Sequence, residues 1–409
     1  MKTRFLVTAI AAALASAPAF ATNGYFAHGY GAKSKGMAGA GSASSQETLV
    51  AATNPASLTR LGKRIDLGIE IFAPDREARM NAGGAVPAGL YDANEVDIFA
   101  IPEFGYSERL NDHVTAGLIV YGNGGMNTEY DGNIYSLVGN NTGVDLAQMF
   151  IAPTVAWNLN ERNSIGLSLN IAYQRFKAYG IDMFAGLAPN GTAFLTDKGY
   201  DDSFGYGARI GWTGNVSDKL SLGASYATRT YMEKFGKYKE LFAEQGDFDI
   251  PANWTLALAF KASDKINIAL DVQHIYYSEV KSIANINTGA GTLGADNGPG
   301  FGWDDMTIYK LGLEYQATNN LVVRAGVSHG DQPIGANDTN FNALAPAVIE
   351  DHMTLGFTYT LNNGNELSGY YMHALENSVS GDGTGGSNLA QTLTMSQNSV
   401  GVTYSWMFK

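Results

Sequence analysis

From about residue 63 onward, apolar residues alternate with small or polar ones at a period of two. Ile65, Leu67, Ile69 and Ile71 alternate with Asp66, Gly68 and Glu70. Ile165, Leu167, Leu169, Ile171 and Tyr173 alternate with Gly166, Ser168, Asn170 and Ala172. Phe204, Tyr206, Ala208, Ile210 and Trp212 face away from Gly205, Gly207, Arg209 and Gly211, and Val400, Val402, Tyr404, Trp406 and Phe408 face away from Ser399, Gly401, Thr403 and Ser405. Successive strand side chains point to opposite faces, so each segment has one greasy face and one small or polar face. A soluble β-sandwich shares this alternation. Here, however, the strands run about 10–15 residues rather than the usual ~5–6, and aromatics gather near their ends on the greasy face.

The connections alternate in length. Short polar turns fall near Asn111–Asp112, Asn160–Arg162, Ser217–Lys219, Ser263–Lys265, Thr318–Asn320 and Asn362–Asn365. Longer connections lie between them, at about 73–97, 124–146, 179–202, 233–248, 282–304, 333–347 and 378–392. Six turns and seven loops join fourteen strands. The pattern predicts an all-β protein, a 14-stranded antiparallel transmembrane β-barrel with its long loops outside the cell. In hydrocarbon only a closed barrel leaves no unpaired strand edge. The closing aromatics Tyr404, Trp406 and Phe408 resemble the assembly signal of such barrels, with Lys409 a small departure.

Composition agrees with this reading. Charged residues are 16% of the chain, against roughly 25% in soluble proteins. The mean hydropathy of -0.11 is too polar for a bundle of membrane helices. The formal net charge of -13 argues against a nucleic-acid partner. With no cysteine, thiolate metal sites and thiol nucleophiles are excluded. Lys2 and Arg4, the apolar run Phe5–Ala13 and the small-x-small site Ala19-Phe20-Ala21 predict a signal peptide over 1–21, cleaved after Ala21. The expected location is the outer membrane of a Gram-negative bacterium.

Residues 22–62 precede the first strand. Roughly half are Gly, Ala or Ser, and they carry the anchors Tyr25, Phe26, Met37, Leu49, Val50 and Leu58. Fourteen strands leave a wide lumen unless something fills it. We read 22–62 as a plug, or hatch, folded inside a barrel formed by 63–409.

This segment contains Asn54-Pro55-Ala56, after the run Gly36-Met37-Ala38-Gly39-Ala40-Gly41. It resembles the FadL type of outer-membrane long-chain fatty-acid transporter, a family that includes relatives assigned to aromatic hydrocarbon uptake. Ile250-Pro251-Ala252-Asn253-Trp254, Trp303-Asp304-Asp305, Arg324-Ala325-Gly326 and Asp331-Gln332-Pro333 look like the same family. The resemblance implies a monomeric barrel with an N-terminal hatch. It also implies energy-independent uptake of hydrophobic molecules, captured by the outer loops and released sideways into the membrane. It places the lateral opening at a kink in the third strand, which makes Gly122, Gly124 and Gly125 the exit candidates. Glycines weaken a strand and permit bulges.

Capture requires apolar groups outside the barrel. Phe184, Leu187, Phe194 and Leu195 in one loop, and Phe235, Leu241 and Phe242 in the next, are the candidates. Long-chain fatty acids are the leading substrate, aromatic hydrocarbons the alternative, and a general diffusion porin the alternative of another class. Outer-membrane lipid and lipopolysaccharide are the expected surroundings. Asp66, Glu70, Glu103, Arg209, Arg229, Lys261, Asp271, Lys310, Glu314 and Arg324 are expected on the lumen face, paired with one another or with the plug. Arg175 and Lys177 have lipid-face parity, so they meet lipid phosphates or a bulge turns them inward. His113, His274, His329, His352 and His373 are scattered and define no catalytic pair. The Asp/Asn/Gly stretches at 294–305 and 337–342 lack the EF-hand pattern. No cofactor, no metal and no enzymatic activity are expected.

Overall fold

The computed structural model describes residues 23–81, 86–132, 134–139, 141–383 and 390–408. The expected signal peptide lies outside the described residues. Fourteen long strands form the wall: β1 (Arg64–Met80), β2 (Phe99–Arg109), β3 (Val114–Tyr130), β4 (Thr142–Asn158), β5 (Asn163–Tyr179), β6 (Asp201–Asn215) and β7 (Leu220–Ala227), then β8 (Asn253–Lys261), β9 (Ile266–Ile275), β10 (Met306–Thr318), β11 (Leu321–His329), β12 (Asp351–Thr360), β13 (Glu366–Ser380) and β14 (Ala390–Met407). Each pairs antiparallel with its neighbours in sequence, and β14 closes onto β1 from Arg64↔Met407 to Met80↔Ala390. Two short strands, Gly89–Asp92 and Tyr231–Met232, pair antiparallel alongside the outer ends of β1 and β6.

The period-two pattern has an inverted sense in the wall. In β1, Leu67, Ile69 and Ile71 are exposed, while Asp66, Glu70 and Arg76 are buried. The greasy face meets lipid and the polar face meets the lumen. All six short turns fall where the alternation breaks. The loops are shorter than expected at three places. β1 continues to Met80 rather than ending near 73, β3 and β4 together take up about half of 124–146, and β13 and β14 reach to Ser380 and from Ala390 into 378–392. In β1, β3 and β4 the continuation carries charged or glycine residues that read as loop. In β3 the alternation also disappears because residues 119–128 are buried on both faces.

The lumen is filled by residues 23–61, nearly all buried. A short helix (Ala32–Lys35) packs towards β12–β14, and turns at Thr48–Ala52 and Pro55–Arg60 pack against β1–β6. Glycines on the inner wall make room for it. A Cβ on Gly166 would lie 2.4 Å from the Pro55 carbonyl carbon, one on Gly211 2.1 Å from Asn54 Oδ1, and one on Gly326 2.2 Å from the Met37 carbonyl carbon. Without side chains there, the plug approaches the wall backbone directly, through its own backbone at Gly166 and Gly326 and through the Asn54 side chain at Gly211.

Lumen charges hold the plug. Lys35 Nζ bridges Glu70 (2.5 Å) and Glu103 (2.8 Å). Asp271 accepts the Gly41 and Ser42 amides, both at 3.0 Å, and Asp66 accepts the Thr48 amide at 2.8 Å. Lys310 Nζ donates to the His28 carbonyl (2.9 Å), and Arg209 Nη1 to the Thr53 carbonyl (3.1 Å). Arg324 and Glu314 pair with each other at 2.8 Å. Two expected lumen charges lie elsewhere. Arg229 sits in the loop after β7, on Asp249 (2.6 Å) and Asp247 (3.4 Å). Lys261 is exposed at a strand end, 3.0 Å from Asp264.

Candidate functional site

The wall is unevenly paired at β3. Its lower part pairs with β2 only from Thr115↔Arg109 to Val120↔Phe104. Above that, β2 stays on β1 as far as Phe72↔Phe99, and β3 parts from it. β3 continues along β4 alone, from Tyr121↔Phe150 to Tyr130↔Thr142, with a bulge between Gly122 and Gly124. A bulge bends its strand and increases the twist, and this one carries residues 121–128 inward. The result is a gap in the hydrogen-bond ladder between β2 and β3, a window in the pairing. Its lower edge is Phe104/Val120. Its upper edge is the loop after β1, where Glu129 N donates to the Ala93 carbonyl at 3.1 Å and Glu95 N to the Glu129 carbonyl at 3.2 Å.

The plug's first residues lie along the inner side of this window. Gly125 N donates to the Tyr25 carbonyl and Ala27 N to the Asn123 carbonyl, both at 3.0 Å. A Cβ on Gly124 would stand 1.9 Å from the Tyr25 carbonyl oxygen, so this position requires glycine. Gly122 and Gly125 flank the bulge. Three amides on adjacent strands support it. Asn123 Nδ2 donates to Gln148 Oε1 and Gln148 Nε2 to Gln174 Oε1, both at 3.1 Å.

Arg76, buried on β1, spans the window from the inside. It donates to Asn94 Oδ1 (3.2 Å), the Val96 carbonyl (2.7 Å), Asn127 Oδ1 (3.2 Å) and the Asn127 carbonyl. Sequence reasoning missed it, because a loop start at 73 put Arg76 outside the wall. The signal was present: Phe72, Pro74, Arg76, Ala78 and Met80 all keep the inward parity.

Above the plug, the outer loops enclose an apolar cleft. It is lined by Leu241 and Phe242 from the β7–β8 loop, Leu293, Pro299 and Phe301 from the β9–β10 loop, and Phe341 and Leu344 from the β11–β12 loop, with Val144 and Phe176 below. Its volume is about 30 Å³, room for roughly one water molecule. From the cleft a run of rings leads to the window. Phe176 to Phe242 is 4.7 Å, Phe242 to Phe248 4.8 Å, Phe248 to Tyr25 6.1 Å and Tyr25 to Phe26 5.3 Å. Tyr277 and Trp303 flank Tyr25 at 5.4 and 6.0 Å.

Of the seven capture candidates, Leu241 and Phe242 line the cleft. Phe235 backs them, 5.7 Å from Phe176. Phe184 packs between Tyr135 (5.0 Å) and Phe341 (4.8 Å). Leu195 is buried, Leu187 is exposed, and Phe194 lies under Lys239 Nζ at 3.8 Å. The loops are thus packed on one another in this state. Asn54 of the hatch motif caps the Pro55–Arg60 turn, its Oδ1 accepting Ala56 N at 3.1 Å, while its Nδ2 donates to the Trp212 carbonyl at 3.0 Å.

One pair of histidines meets after all. His28 of the plug stacks on His352 at 5.7 Å, and His352 Nδ1 lies 3.2 Å from Ser328 Oγ. Burial and the nearby Lys35 and Lys310 ammonium groups hold His28 well below the ordinary imidazole range. Among the described residues neither Nε2 atom has a hydrogen-bond partner.

A closed barrel with a greasy outer face and a lumen filled by its own N-terminal segment is the architecture of an outer-membrane protein, and here the pairing between two wall strands is interrupted. The chain belongs to the outer membrane protein transport family (OMPP1/FadL/TodX), whose model matches residues 8–408. It is 24% identical over 364 residues to the long-chain fatty acid transport protein of Salmonella typhi, covering 78% of this chain and 80% of that one. Among solved structures it is similar to a Pseudomonas aeruginosa FadL homologue (TM-score 0.73, 15% identity, 94% of this chain and all of that one). It is also similar to the Pseudomonas putida toluene transporter TodX (TM-score 0.68, 18% identity, 93% and 99%). The expected fold, family and outer-membrane location therefore hold.

Proposed function

We propose that the protein takes up long-chain fatty acids or related hydrophobes passively, without opening a water-filled pore. The outer loops capture the ligand around Leu241 and Phe242, the ring path carries it past the plug, and the window at Gly122, Gly124 and Gly125 releases it into the membrane. Residues 22–62, with Asn54-Pro55-Ala56 as their fixed turn, act as the hatch. The observation carrying this reading is the unbroken line of rings from the loop cleft to the window. Each CH2 kept out of water along such a path gains about 0.8 kcal/mol. Phe184, Leu187, Phe194, Leu195 and Phe235 then support or flank the capture cleft. A plugged lumen argues against a diffusion porin.

Aromatic hydrocarbons are a second reading, favoured by two observations. The path is lined by rings, and the lumen cations Lys35, Arg76, Arg209, Lys310 and Arg324 are all engaged within the protein. A neutral ligand needs none of them. Uptake of oleate, toluene and a small sugar into proteoliposomes tests both readings. Oleate faster than toluene supports the first and the reverse the second, while sugar permeation equal to either hydrophobe would falsify both.

A further inference from the structure

β5 carries Ile165, Leu167, Leu169 and Ile171 outward, and then Tyr173, Arg175, Lys177 and Tyr179. Its burial alternation runs unbroken to the last residue. It pairs with β6 from Asn163↔Gly214 to Phe176↔Asp201 without a register shift. No bulge turns the two cations inward, so they face the lipid side. From Ile165 to Tyr173 the chain climbs about 26 Å along the strand at ~3.3 Å per residue, or roughly 20 Å along the membrane normal at ~40° tilt. Arg175 and Lys177 therefore stand at the top of the apolar band, at the level of the outer-leaflet headgroups.

Both cations rest on one ring. The Arg175 guanidinium lies 4.5 Å and the Lys177 ammonium 5.2 Å from the centre of Tyr200, and Lys177 also lies 4.9 Å from Tyr179. The acids opposite them in register are Asp202 for Arg175 and Asp145 for Lys177. Each accepts from a tyrosine, Tyr173 OH donating to Asp202 at 2.6 Å and Tyr200 OH to Asp145 at 2.5 Å, while Asp145 Oδ1 has no hydrogen-bond partner among the described residues. Among the described residues neither cation reaches a carboxylate at ion-pair distance. Two residues apart on one strand face, they stand about 7 Å from each other, a spacing that one phosphate group bridges. Below them Tyr173 and Phe204 pack at 5.2 Å, and Phe204 and Tyr206 are exposed, an aromatic bed for acyl chains.

We propose that Arg175, Lys177 and Tyr200 form a binding site on the outer wall for the phosphate of an acylated glycolipid of the outer leaflet. The cations hold the phosphate through charge-assisted hydrogen bonds, and Tyr173, Phe204 and Ile171 seat the chains. The site lies two strands from the window, so a bound lipid borders the place where ligand would leave the barrel.

Native mass spectrometry of the purified full chain tests this. The probes are bisphosphorylated lipid A, the same lipid stripped of phosphate, and inorganic phosphate. The wild type should retain one lipid A and release it at least tenfold more readily when the phosphates are removed. Arg175→Gln with Lys177→Gln should lose retention at least tenfold while keeping the heat-modifiable mobility of a folded barrel. Arg175→Lys with Lys177→Arg, which keeps both charges, should retain the lipid. Equal retention by the charge-removed variant, or by phosphate-free lipid, overturns the assignment. Inorganic phosphate that displaces lipid A makes the site one for free anions and overturns it as well.

Discussion

Gly124 is the position at which the window and the plug are least able to tolerate change. A side chain there meets the Tyr25 carbonyl oxygen at 1.9 Å and Phe26 Cα at 3.2 Å. Both are backbone atoms that cannot rotate away. Gly124→Phe must therefore displace the Tyr25–Ala27 strip. The loss includes two backbone hydrogen bonds, each worth about 1 kcal/mol net, and part of the burial of the Tyr25 and Phe26 rings, about 1.5–3 kcal/mol for a fully buried side chain. Together this is roughly 3–6 kcal/mol, enough to undock the strip but not to open the fourteen-stranded ladder. The new ring then occupies the inner side of the window. The expected outcome is a barrel with normal heat-modifiable mobility, lost amide protection at Ala27 and Gly125, and oleate uptake reduced at least tenfold. Wild-type uptake by a folded Gly124→Phe protein would refute the lateral route.

Phe242→Asn removes a ring that touches Phe176 and Phe248. It should weaken ligand binding about tenfold or more, as the loss of ~1.5–3 kcal/mol of apolar burial requires, read by equilibrium binding of a fluorescent fatty acid. Lys35→Met leaves Glu70 and Glu103 buried without their cation. It should destabilise plug docking by about 3–5 kcal/mol, seen as new protease cleavage within 23–61. Arg76→Gln releases the loop at Asn94 and Val96 from β3, and hydrogen exchange at Glu95 and Glu129 should rise while the rest of β3 stays protected. Glu47 of the plug accepts the Lys33 and Ser34 amides at 2.9 and 3.2 Å, and burial pushes its carboxyl up to about 7. The docked plug therefore binds this proton more tightly than a freed plug does. Docking is strongest below the ordinary carboxyl range and weakens as pH rises through about 7, by up to roughly 3 kcal/mol. Plug protection from protease should fall from pH 5 to pH 8, and Glu47→Gln should flatten that dependence.

The barrel was legible because one physical rule governs most of it. A strand with lipid on one side and a small polar interior on the other must alternate, and Asn111–Asp112 or Asn362–Asn365 interrupt that alternation plainly. The rule fails where both faces are buried. Residues 119–128 lost their period two because the plug lies on one side and the covering loops on the other, so the inward-bent end of β3 read as a loop. Arg76 was hidden for a related reason: its neighbours Asp75, Glu77 and Arg79 looked like loop charge. The third-strand glycines were visible as a weak point, but nothing local says that Gly124 receives the Tyr25 carbonyl. Phe242 and Tyr25 are 217 residues apart, and only the closed fold puts Phe248 between them. Arg175 and Lys177 show the opposite case, in which simple parity was right and a bulge unnecessary.

The glycine hollows of the inner wall also make plug and wall a matched pair. Pro55, Asn54 and Met37 are seated in recesses on β5, β6 and β11, and β1, the strand directly joined to the plug, is the one that β14 must find to complete the cylinder. Each recess is cut to the shape of the turn that fills it, so glycine at 166, 211 and 326 answers to the plug and not to the strand that carries it. The inner wall is thus under a second constraint besides lipid and lumen water: a different plug would need a different set of hollows.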